Sequence, residues 1–186
     1  MDTLEAIHTR QSISKTRAEP IPRGMIETIL AAAVQAPNHY KVRPWRFIVL
    51  TGEARARLGD RMGQALHQKN PDASNDLLTR ERAKPLRAPV VVAVGVDKPA
   101  VAQAVELENV CAVAAAVQNM LLAAHALGLG AMWRTGSAAR DPDVKTFLGL
   151  APDQHLIGFV YIGYPENGPT PSQRPSYEDR TVWMEE

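Results

Sequence analysis

Ala114–Gly136 reads AAAVQNMLLAAHALGLGAMWRTG. The first part is apolar on nearly every face of a helix, and a helix without a polar face has to be buried. The same character extends upstream, so the pattern predicts a central helix over 101–127, ended by Gly128-Leu129-Gly130 in the manner of a helix C-cap. From Val110 to Met132 the run has the length of a membrane span, but Gln118, Asn119 and His125 interrupt it, which makes it a core helix instead. Ala131–Arg134 then predicts a short strand leading into Thr135-Gly136.

Upstream, Thr3–His8 has helical spacing and runs into the polar, basic junction Arg10-Gln11-Ser12. Pro22 suits a helix start, and Met25, Ile26, Ile29, Leu30 and Ala33 continue a helical stripe until Ala36-Pro37 stops it. Asn38–Arg43 is a loop, Trp45–Leu50 a strand, and Glu53 to Gln68 a helix broken by Asn70–Asn75. The charged stretch up to Lys84 predicts a solvated helical cover. Pro89–Val96, PVVVAVGV, is a β-branched run that predicts a strand buried on both faces at the sheet centre. Downstream, Asp141–Leu148 is helical and His155–Tyr164 is another strand. The tail 166–186 has too few apolar residues to pack by itself and is expected along another surface. The whole predicts a single α+β domain over 1–186, a sandwich with a mixed, mostly antiparallel sheet flanked by helices.

Bulk properties narrow the function classes. With 186 residues there is enough chain for one core. Lys and Arg total 21 against 20 Asp and Glu, so no general field draws the chain to nucleic acid or an anionic membrane. The single cysteine, Cys111, precludes an intrachain disulfide framework and is expected as a buried small hydrophobe. Asp2 and Glu5 stand where a secretory signal would carry positive charge, so the cytoplasm is the expected compartment. Five scattered histidines form no metal motif, and there is no nucleophile elbow or Gly-rich phosphate loop. His125 is expected as a hydrogen-bonded core or interface residue. Arg10-Gln11-Ser12 supplies a guanidinium, a hydroxyl and backbone donors in one turn, which is what a phosphate needs. A solvent-exposed helix end is the alternative.

Three segments carry a resemblance to the nitroreductase family: IHTRQSIS near the start, AAAVQAPNHYKVRPWRFIVL in the middle, and the Ala114–Gly136 stretch, with GFVYIGYP similar to the family's last core strand. They come in the family's order and span most of the chain, and Trp133-Arg134-Thr135-Gly136 is similar to the WRSG of its compact subgroup. The resemblance implies an intertwined homodimer with FMN between subunits, the tail on the partner, and NADH or NADPH as electron donor. It implies ping-pong transfer to a nitroaromatic, quinone or similar acceptor, with the chemistry carried by FMN N5 and no catalytic side chain. Carried across by position, Arg10, Gln11 and Ser12 would hold the phosphate and ribityl region, with Arg174 in support. His39 would reach the flavin across the interface, Gln35 would be a further cofactor-binding position, and Trp133, Arg134 and Thr135 would lie beside the ring. Gln11, Gln35 and Arg43 depart from the family pattern, and for Arg174 and His39 a solvated surface residue is the alternative. A flavin-binding redox sensor or carrier without turnover, or a related flavin enzyme such as a dehydrogenase or dehalogenase, is the rival reading.

Overall fold

The structure is a computed structural model that describes residues 1–99, 101–168 and 174–185. In chain order its elements are α1 (Thr3–Thr9), α2 (Arg23–Ala33), β1 (Trp45–Leu50), α3 (Glu53–Lys69), α4 (Asn75–Arg82), β2 (Val90–Val96), α5 (Glu106–Ala126), β3 (Gly130–Arg134), α6 (Pro142–Phe147) and β4 (His155–Gly163). β2 is buried along its whole length. Successive side chains on a strand point to opposite faces. Val90, Val92, Val94 and Val96 accordingly pack with α2 and α5, while Val91 and Ala93 pack with Leu58 and Met62 of α3 and Val144 of α6. The β-branched run is thus the middle of three layers, and each fully buried valine in it contributes roughly 1.5–3 kcal/mol.

The strand order is β1-β2-β4-β3, and every neighbouring pair is antiparallel. This agrees with the expected mostly antiparallel sheet and makes its named strands antiparallel throughout. Leu50 pairs with Val91, so the long excursion through α3 and α4 leaves and re-enters at one end of the sheet and β2 runs back along β1. Parallel pairing among the described residues is limited to an isolated bridge between Ser12 and Ala131.

The central helix starts at Glu106, later than the spacing predicts, because Ala104 N–H closes a turn on Val101 O and extended Val105 is the N-cap. Although α5 has the length and composition of a membrane span, Val113, Ala116, Val117 and Met120 are fully buried against α2 and the sheet. One line of the helix is left uncovered. Leu107 is 70% exposed, and Cys111 is exposed too, which corrects its expected burial. A helix apolar all round gives no sign of which of its sides will lack a neighbour. The charged stretch before β2 is likewise more than a solvated cover, since Leu78 and Glu81 of α4 are buried.

Asp141 anchors the second helical layer. It is 2% exposed, accepts from the N–H groups of Asp143 and Val144 as the N-cap of α6, and pairs with Lys69 Nζ at 2.6 Å. Burial alone would raise its pKa, but the Lys69 contact and the two backbone donors outweigh that and hold the carboxyl below its ordinary value. Asp141→Ala is expected to reduce stability by about 2 kcal/mol at neutral pH, measured by urea denaturation. Asp141→Asn, which keeps the cap, should lose less. Because the folded pKa is the lower one, this contribution is fully present above the unfolded-state pKa, near 4, and disappears as pH falls through the folded value. The wild-type and alanine curves should therefore converge in acid.

Candidate functional site

The segment after α1 is tied to the start of β3. Ile13 N–H donates to Ala131 O at 3.0 Å, beside the Ser12–Ala131 bridge. The close approach depends on Gly130, where a Cβ would lie 2.7 Å from the Ile13 side chain. Arg10-Gln11-Ser12 is thereby held next to the strand that carries Trp133 and Arg134, although more than a hundred residues separate them in sequence.

Arg10 caps α1, its N–H donating to Ala6 O, and its side chain is half-buried. Burial lowers its guanidinium pKa, and the positive charge of Arg174 lowers it further. Among the described residues neither arginine is ion-paired to a carboxylate. Two arginines within reach of each other's charge, one of them half-buried, with no carboxylate between them, suit a dianion such as a phosphate monoester. Gln11 is half-buried beside Arg10, and Ser12 is exposed.

Trp133, Arg134 and Thr135 lie at the end of β3, on the wall of a cleft of about 300 Å³ completed by Glu81, Lys84 and Tyr161. Trp133 Nε1 donates to Ile157 O at 3.1 Å, which fixes the indole at the rim. The Arg134 guanidinium stands 5.4 Å from the centroid of the Tyr161 ring, within cation–π range. Burial pushes the Tyr161 phenol up to about 12 against the opposing pull of Arg134 and Arg87, so it stays protonated across the physiological range. The cleft is small, lined by side chains from the sheet and from Glu81 of α4, and bordered by donors.

Gln35 and His39 lie apart from this cleft within the chain. Gln35 is exposed at the end of α2, where its Nε2 donates to Ala31 O at 3.4 Å. His39 is exposed, pairs through Nδ1 with Glu108 at 3.0 Å, and borders a groove over Leu107, Cys111 and Ala115. Its loop is strained: Tyr40, Lys41 and Arg43 all have positive φ, and Asn38 Oδ1 accepts from Arg43 N–H at 2.9 Å to brace it. Each such residue costs about 1 kcal/mol or more relative to ordinary backbone. His125, as expected, is hydrogen-bonded, its Nε2 lying 2.8 Å from Thr9 Oγ1. A further cavity, about 630 Å³, contains none of these residues; it lies between α2, the end of β1 and Arg55.

The sequence reading did not single out Glu81, Lys84 or Tyr161 as cleft residues. Glu81 and Lys84 form an ion pair three residues apart at the end of the charged stretch, a spacing that resembles ordinary surface pairing. Tyr161 is two residues from Phe159 on β4, so the period-two pattern puts it on the α3 side of the sheet and carries no hint of a cleft.

A sequence model of the nitroreductase family matches residues 7–164. The chain is 32% identical over 167 residues to YdjA of Escherichia coli (strain K12), named for an inferred NAD(P)H nitroreductase activity, covering 89% of this chain and 90% of that one. A crystal structure of an inferred nitroreductase from Desulfovibrio desulfuricans in complex with FMN is 30% identical, covers 100% of this chain and 98% of its own, and superposes with a TM-score of 0.75. A nitroreductase-like protein from Bacillus cereus shares the fold at a TM-score of 0.85 and 24% identity, covering 100% of this chain and 97% of its own.

Proposed function

The chain belongs to the nitroreductase family, and from that premise we propose that it is an FMN-dependent oxidoreductase that draws electrons from NADH or NADPH and delivers them to a nitroaromatic, quinone or similar small acceptor. The observation that carries this reading is the half-buried Arg10, tied through Ile13 and Ala131 to the cleft at Trp133–Thr135, with Arg174 close enough to act on its charge and, among the described residues, no carboxylate paired to either. Arg10, Ser12 and Arg174 would hold the phosphate, with Gln11 next to the ribityl chain. FMN held there would supply the redox chemistry, hydride exchange at N5 with donor and acceptor in turn, and the kinetics would then be ping-pong.

The protein's own residues do the rest. Arg134 places a fixed positive charge at the cleft, where negative charge grows on reduction. Trp133, anchored to Ile157 O, shields one side from water. Lys84, held by Glu81, adds a second cation to the wall. No side chain need act as a nucleophile.

The working unit in this reading is a cytoplasmic homodimer of single-domain chains. Gln35 and His39 lie apart from their own chain's cleft and would serve the partner's flavin. Val182, Trp183 and Met184 are 85, 76 and 94% exposed, an apolar run that water does not favour, and the 630 Å³ cavity offers the partner's tail an apolar wall in Ile21, Ile26, Leu30 and Val49. One preparation tests the whole. The purified protein should show a flavin spectrum, bleach with NADH or NADPH without oxygen, and recover colour on adding a nitroaromatic or quinone. A colourless protein that takes up no added FMN sinks the proposal, and bound flavin that reduced nicotinamide cannot bleach would favour a sensor or carrier or a flavin enzyme of another reaction.

A further inference from the structure

A second group of cations adjoins the cleft. Lys15, Arg87 and Arg134 line a cavity of about 560 Å³ with Ser14, Thr16 and Glu166, and Arg134 is also part of the wall at Trp133 and Thr135, so the two spaces share a boundary. Among the described residues none of the three cations has a carboxylate partner within ion-pair distance, Glu166 included. The frame around them is fixed. Thr16 Oγ1 donates to Arg87 O at 3.1 Å, Glu166 N–H donates to Lys15 O at 3.3 Å, and the Arg134 guanidinium is stacked over Tyr161. Three like charges around one concavity repel one another and are stabilised by an anion.

FMN carries one phosphate, which the flavin reading above gives to Arg10 and Arg174. We infer that the Lys15–Arg87–Arg134 cavity is an anion subsite for the second molecule that enters the flavin cleft, and that its ligand is the 2′-phosphate of NADPH, so the chain prefers NADPH to NADH. The inference rests on the flavin reading above. The 2′-phosphate is the sole difference between the two donors, and one charge-assisted contact to a phosphate changes affinity by about tenfold or more. A carboxylate on the acceptor has the same chemistry, and the experiment separates the two sources.

Binding of NADP⁺ and NAD⁺ to the full chain is measured by calorimetry at low and high salt, for wild type and Arg87→Ala, with bound FMN read from its visible absorbance. Arg87 is exposed, so its removal leaves the core intact. Wild type should bind NADP⁺ at least tenfold tighter than NAD⁺; Arg87→Ala should reduce that ratio about tenfold without altering NAD⁺ binding or FMN content, and salt should reduce it similarly. Equal affinities in wild type overturn the inference. So does loss of FMN in Arg87→Ala, which would assign these cations to the flavin. In a parallel arm, turnover of 4-nitrobenzoate is compared with that of its methyl ester: a preference for the carboxylate that Arg87→Ala abolishes, without any nucleotide preference, overturns the donor assignment and gives the subsite to the acceptor. A preparation unable to bind FMN defeats the functional proposal, while nucleotide discrimination can still be read from the same titrations.

Discussion

Arg10→Ala is expected to weaken FMN binding by about 10- to 150-fold, the equivalent of about 1.5–3 kcal/mol for charge-assisted hydrogen bonds to a phosphate. The wild-type side chain is half-buried and already destabilised by Arg174, so part of the energy of bringing two cations together is recovered only when an anion sits between them. Removing Arg10 therefore hurts the complex and relieves the free protein, and both effects push in the same direction. The measurement is FMN affinity by fluorescence quenching, with thermal stability of the flavin-free form as control. The free variant should melt no lower than wild type. Unchanged FMN affinity would remove Arg10 from the phosphate site.

Gly158→Ala should be more damaging still, and to the fold as well as the site. Gly158 has φ +140, a region that side chains other than glycine rarely adopt, and it sits on β4 beside the irregularity in the β2–β4 pairing. A Cβ there would lie 2.4 Å from Arg134 O and 2.6 Å from Trp133 Nε1. Neither can yield locally, because Arg134 pairs with Phe159 and Trp133 is bonded to Ile157 O. Backbone strain and overpacking together predict a loss of about 3–5 kcal/mol, or roughly 6–20 °C in Tm for a chain of this size. The same displacement should move Trp133 and Arg134 and so reduce FMN binding. A variant with wild-type Tm and flavin content would mean that β3 can shift away from β4 at little cost.

Much of the layer structure was legible beforehand because burial writes itself into composition. A run such as VVVAVGV has no polar side to turn outward, and the Ala-rich stretch before Gly128 has almost none, so the central strand and central helix could be read without tertiary information. Strand order could not. It depends on where α3 and α4 return the chain, which no residue between Leu50 and Val90 states by itself. The exposed side of α5 was hidden for a related reason: Cys111 and Leu107 resemble their buried neighbours, and only the placement of α1, α2 and the sheet decides which of them is covered. Within the candidate site, Arg10-Gln11-Ser12 and Trp133–Thr135 were visible as local motifs. Lys84, Arg87 and Glu81 were not, since a charged segment looks the same whether it faces solvent or closes a cleft. The influence of Arg174 on Arg10 arises from the return path of the tail and has no local signature.

The sheet's connectivity also bears on how quickly this protein can form. Leu50 meets Val91, Val96 meets His155 and Arg134 meets Phe159, so no pairing in the described sheet can begin from a tight hairpin. Each requires closure of a long loop before any hydrogen bond rewards it, and such topologies fold slowly. The residues around Arg10, Ala131 and Arg174 come together only when the last of these loops has closed. A ligand that needs them recognises the finished molecule alone, and by mass action it favours the native state without assisting the search for it. Stopped-flow refolding with and without FMN should accordingly give the same folding rate, while unfolding slows in its presence; faster folding with FMN would place the site's assembly ahead of the barrier.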